Sequence, residues 1–196
     1  MHCPSTQGYR SMGLYLVLTL AAIVGILWFT VNRLAALDSR CDRAVADIDV
    51  QLKHRHGLLP NLLESVRAFA THELAAIEMV TRARSEALGA SSGEARMRAE
   101  AVLSAQVAQL VGVAEAYPEL RASVHFQGLR DEVAGAENKI AASRRYLNAA
   151  VDEYNATLRQ FPASLLARVF NNYRRRSFYD IGIERALLDG APALKF

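Results

Sequence analysis

The sequence predicts an all-α protein, with an N-terminal transmembrane helix followed by an up-down-up-down four-helix bundle. Three observations predict it. The stretch from Ser11 to Asn32 carries no charged residue and centres on LYLVLTLAAIVGILWFTV, Leu14 to Val31. Glycine is scattered, and proline appears only at Pro4, Pro60, Pro118, Pro162 and Pro192, so long stretches contain nothing that interrupts a helix. Beyond Arg33 the apolar residues recur at three-four spacing, without the sustained alternation of strands.

The uncharged run would span about 33 Å as a helix, enough to cross a hydrocarbon core. Arg10 and Arg33 close it, and Tyr15, Trp28 and Phe29 stand near its ends, where aromatic rings anchor at interfaces. A cleaved signal has a shorter core and a small-x-small site. Here Leu34-x-Ala36 puts a bulky residue where a small one is needed, so an uncleaved anchor is expected. Arg33, Arg40, Arg43 and Lys53 follow the span, whereas Arg10 precedes it. Cations near a span stay cytoplasmic, which predicts a single-pass protein with its N-terminus outside and its domain in the cytoplasm. The expected division is a tail over 1–11, the span over 12–32, the bundle over 33–162 and an amphipathic, basic tail over 163–196.

The first bundle helix continues out of the membrane, with Leu34, Leu37, Cys41, Val45 or Ala44, Ile48 and Leu52 on its stripe. Lys53-His54-Arg55-His56 followed by Gly57 reads as a cationic last turn and a glycine stop, and Pro60 suits the first turn of a new helix. A hairpin is therefore expected at Gly57–Pro60; the other reading is a kink at Pro60 in one long helix, since the apolar phase hardly slips there. The second helix runs to about Leu88, with Leu62, Val66, Phe69, Ala76, Val80, Ala83 and Ala87 on its stripe. After the turn at 89–93, Ser91 and Glu94 have capping-box spacing. The third helix carries Leu103, Val107, Leu110, Ala114 and Tyr117 and closes at Pro118. The fourth runs from about Ser123 to Phe161, with Leu129, Val133, Ala136, Ile140, Leu147, Val151, Tyr154, Leu158 and Phe161 facing inward. Short connections between such helices make antiparallel neighbours.

The formal net charge is +3, and Arg174-Arg175-Arg176 equals that excess. Such a local cluster reads as a membrane-side feature, not the broad basic face of a nucleic-acid protein. Cys3 and Cys41 lie on opposite sides of the span, so no disulfide is expected between them. His72-Glu73 lacks the second histidine of a zinc-protease motif, because position 76 is Ala76. His54 and His56 point to different helical faces. No cofactor, metal or catalytic set is expected.

The words of the sequence from Asp47 to Val66, DIDVQLKHRHGLLPNLLESV, resemble the hallmark segment of the LemA family of bacterial membrane proteins. So do Ala70-Thr71-His72-Glu73, Ala83-Arg84, Val113 to Leu120, Glu137 to Ala141, Arg144-Arg145, Asn148, Tyr154-Asn155 and Phe161-Pro162, all in the family's order. Val45, Gly57 and Leu147 depart from the family's usual tryptophan, aspartate and tyrosine. The resemblance implies a single-span bacterial membrane protein with a four-helix up-and-down domain, and it supplies no catalytic residues.

Two groups of residues stand out as candidate sites. Glu73 falls where the second stripe wants an apolar residue, and Asn138 lies at about the same height on the fourth helix. They would either form an interior polar pair that fixes register, or Glu73 would rotate to solvent. Phe170, Arg174, Arg175 and Arg176 are the membrane-surface candidates; the tail carrying them, with Phe161 and Leu165, would lie on anionic lipid or fold back on the bundle. The expected function is a non-enzymatic, membrane-anchored scaffold or adaptor for protein partners, with homo-oligomerisation left open and no nucleic acid. The alternative is a lipid-binding or membrane-remodelling module acting through the basic tail.

Overall fold

The computed structural model of the chain describes residues 6–69, 73–91, 93–169 and 173–179. Among them every regular element is an α-helix: α1 Thr6–Phe69, α2 Leu74–Gly89, α3 Gly93–Ala114, α4 Pro118–Ala122, α5 Val124–Arg159 and α6 Ala163–Val169. The chain divides into two compact units, residues 1–43 with 149–176 and residues 44–148 with 177–196.

The expected hairpin at Gly57–Pro60 is absent, because α1 is one helix of 64 residues with Pro60 inside it. Two physical effects carry the helix through. Its buried stripe does not break: Leu52, Arg55, Leu59, Leu62 and Val66 follow one another at three-four spacing. Pro60 has no N–H to bond the carbonyl of His56, four residues earlier. Arg84 of α2 supplies the missing donor, its Nε lying 3.2 Å from that carbonyl oxygen. Gly57 inside the helix costs only about 1 kcal/mol against alanine, too little to end a helix buried along one face. The predicted second helix is thus divided: its first part belongs to α1, and α2 begins only at Leu74.

In the unit of residues 44–148 and 177–196, one buried cluster draws on five helices. Leu59, Leu62 and Val66 of α1 meet Ile77, Val80 and Ala83 of α2, Leu103, Val107 and Leu110 of α3, Leu120 of α4, and Phe126, Leu129 and Val133 of α5. The predicted third helix ends early, at Ala114, and Pro118 opens the short α4, where a first turn accepts proline. In the other unit, Thr30, Leu34, Leu37 and Cys41 of α1 are buried, as are Val151, Tyr154 and Leu158 of α5 and Ala163 and Leu166 of α6. The side chains from Met12 to Val24 stay exposed, and the helix there is long and apolar enough to cross a membrane.

Candidate functional site

The most concentrated polar chemistry lies inside the unit of residues 44–148 and 177–196. Arg55 and Glu100 occupy core positions of their helices, in line with Leu52 and Leu59 on α1 and with Leu103 and Val107 on α3. Both are almost fully buried. Arg55 Nη2 donates to Glu100 Oε2, and Nη1 donates to Glu137 Oε1 of α5 and to Ser104 Oγ of α3. The Ser104 hydroxyl lies 3.1 Å from Glu137 Oε2, and His56 Nε2 lies 3.0 Å from Glu100 Oε1. An ionised carboxylate only accepts, so the imidazole donates through Nε2. One guanidinium thus joins three helices, with geometry that fixes which turns face each other.

Burial raises the Glu100 pKa, but the His56 hydrogen bond and the Arg55 charge outweigh it and hold the carboxyl below its ordinary value. Both Glu100 oxygens are engaged, and no face of it reaches solvent. A general base must touch the proton it removes, so Glu100 is unsuited to that task in this arrangement. Among the described residues no three His, Cys, Asp or Glu side chains gather as a metal site would require.

The polar pair expected from the sequence is not assembled. Glu73 is half-buried at the N-cap position of α2, where its carboxylate accepts from the Tyr117 hydroxyl at 2.9 Å. That hydrogen bond, with burial and the carboxylate's charge, raises the Tyr117 pKa. Asn138 is exposed. Matching Glu73 with Asn138 by height requires the chain to turn back at Gly57–Pro60, and α1 continues through those residues. The Arg55 cluster had a sequence signal: continuing the α1 stripe from Leu52 through Gly57 to Leu59 puts Arg55 at a core position, and extending the α3 stripe back from Leu103 does the same for Glu100.

The tail candidates separate. Phe170 lies outside the described residues. Arg174 and Arg175 are exposed, whereas Arg176 is bound: Nε and Nη1 lie 2.7 Å from Asp38 and Asp42, one turn apart on α1. Burial works against its charge, but the two carboxylates prevail and raise its pKa. Asn155 fixes the same residue through the backbone, accepting from Arg176 N–H at 3.0 Å and donating to its carbonyl at 2.9 Å. Arg176 is therefore an internal clamp, not a free lipid contact. In the other unit Asn148 holds Tyr179 in the same two-pronged way, at 2.8 and 3.2 Å, and the Arg144 guanidinium lies 4.9 Å from the Tyr179 ring centre.

A match to the LemA family covers residues 44–196, which takes in α2 to α6 and every residue of the Arg55 cluster. The chain belongs to the LemA family. Comparison with curated proteins returns no match to it. Several words that carried the LemA resemblance now have physical roles: Arg55 and Glu137 meet in the core, Arg84 satisfies the carbonyl orphaned by Pro60, and Asn148 and Asn155 hold main chain.

Proposed function

We propose that this LemA protein is a non-catalytic, membrane-anchored helical scaffold that holds protein partners at a bacterial membrane, with its domain on the cytoplasmic side. The observation that carries the reading is α1, one helix from Thr6 to Phe69 that supplies both the apolar segment and core residues such as Leu59 and Leu62. The end of α1, α2, α3 and the first part of α5 are read as a four-helix bundle of the up-and-down kind. Its main polar cluster is spent on internal pairing, which suits a platform more than a reaction centre. The cations after the span, Arg33, Arg40, Arg43 and Lys53, support the cytoplasmic placement.

Photocrosslinking in native membranes tests the scaffold, from exposed positions such as Val50 and Val102 in the full chain. Discrete protein adducts that vanish when residues 1–33 are removed support it; none from any exposed position would count against it. Cys41 is buried and unsuited to thiol labelling for topology, so a cysteine at Val50 replaces it. That cysteine should resist an impermeant reagent on intact cells while Cys3 reacts.

A second reading, lipid binding through the tail, is favoured by the exposed pair Arg174 and Arg175. Its mark is vesicle binding by the domain that needs anionic lipid, weakens with salt and is lost when both are changed to Gln.

A further inference from the structure

Within the unit of residues 1–43 and 149–176, Arg40 of α1 pairs with Glu153 of α5 at 2.9 Å. From that pair the buried stripe of α1 runs toward its N-terminus, through Leu37 and Leu34 to Thr30. The stripe on α5 and α6 runs toward the C-terminus, through Tyr154, Leu158 and Ala163 to Leu166. The two leave the pair in opposite chain directions, so they pack antiparallel. Six residues on each side, about 9 Å of helix, bring Leu34 level with Arg159, where α5 ends. The exposure pattern agrees: Thr30 is 9% exposed while Ile26 and Ile23, earlier on the same face, are 55% and 54% exposed. An isolated helix cannot cover one threonine so selectively. The packing stripe therefore begins inside the last turn of the apolar segment.

That register sets the height of what the chain leaves uncovered just beyond α5. Phe161 and Leu165 are 79% and 52% exposed. Phe161 stands two residues past Arg159, so it lies within about 7 Å of the level of Leu34, beside the end of the uncharged run at Asn32. The opposite face of α6 is spent on the core through Ala163 and Leu166. Arg33, Arg168, Arg174 and Arg175 are exposed in the same unit. Apolar side chains at the end of a span, accompanied by arginines, match the water–lipid boundary of a bilayer. We infer that α6 lies in the membrane interface, with Phe161 and Leu165 seated among the lipid headgroups as a second membrane contact beside the span. This rests on the reading that residues 12–32 cross the bilayer. It differs from lipid binding through the arginines, because the contact is apolar and persists in high salt.

Trp28 is the chain's single tryptophan, and it makes the test self-controlled. The full chain is reconstituted into vesicles of phosphatidylcholine and phosphatidylglycerol carrying quenchers either near the headgroup or at the acyl-chain end. Four forms are compared: the unaltered chain, and Trp28→Phe combined in turn with Phe161→Trp, Leu165→Trp and Val102→Trp. Trp28 should be quenched, Val102→Trp should not, and Phe161→Trp should be blue-shifted and quenched more by the headgroup label than by the deep one, at a depth of about 5–10 Å. Leu165→Trp should behave like Phe161→Trp, which guards against a local misfold at either position. Quenching of Trp28 with neither α6 probe quenched would overturn the interfacial placement and leave the anchor standing. Absence of quenching at Trp28 as well would overturn the anchor and, with it, the placement.

Discussion

Arg55 and Arg176 are each held by two carboxylates, but Arg55 is sealed between helices whereas Arg176 keeps 29% of its side chain in solvent. Their partners differ too. Glu100 and Glu137 come from separate helices, so Arg55 fixes helix against helix. Asp38 and Asp42 belong to one helix, so Arg176 fixes only its own segment onto α1. The same ion-pair chemistry thus specifies a core in one place and pins an irregular segment in the other. Burial decides how much each is worth.

The comparison breaks most severely at Arg55. Arg55→Ala leaves Glu100 and Glu137 without their cation and should cost about 3–5 kcal/mol in denaturant unfolding of the full chain in detergent. Replacing Arg55 and Glu100 together by Met and Leu should recover most of that loss, since an apolar isostere often matches a buried pair. A double replacement as damaging as the single one would mean the pair stabilises more than packing can. Because the Glu100 carboxyl is held below its ordinary value of 4.5, its contribution is present above that pH and is lost as pH falls through the depressed value. The melting temperature should therefore fall on acidification in the unaltered protein and fall less steeply in Glu100→Gln.

Arg84 provides the intermediate case. Arg84→Ala orphans the His56 carbonyl and should cost about 1–3 kcal/mol. In a Pro60→Ala background the helix supplies its own N–H, and the same change should cost much less. Equal costs in both backgrounds would remove the proposed compensation. Arg176→Gln should have the smallest effect, about 1 kcal/mol or less and shrinking with added salt, as partly exposed pairs do. A loss as large as that at Arg55 would show that exposure is not what separates the two.

The sequence made the helices legible because three-four spacing survives any tertiary arrangement. Leu103, Val107 and Leu110, and Leu129 and Val133, stand on predicted stripes and are buried, whereas Phe69 and Phe161 are exposed because each lies where its helix ends. It misled at Gly57–Pro60 because helix-breaking is a local property, and the donor that neutralises it, Arg84, comes from another helix. That one misplaced turn also displaced the height of Glu73. The roles of Asn148 and Asn155 were not legible either: a side chain that binds a carbonyl and an N–H leaves no pattern in the residues it holds.

That last property has a consequence for sequence drift. Asn148 and Asn155 grip Tyr179 and Arg176 by atoms that every residue except proline possesses. That main-chain grip is therefore indifferent to the held side chains, while Arg176 and Tyr179 add side-chain contacts of their own to Asp38, Asp42 and Arg144. Proline at position 176 or 179 removes the N–H that donates to the asparagine and should loosen that grip, whereas a change of side chain alone leaves it in place.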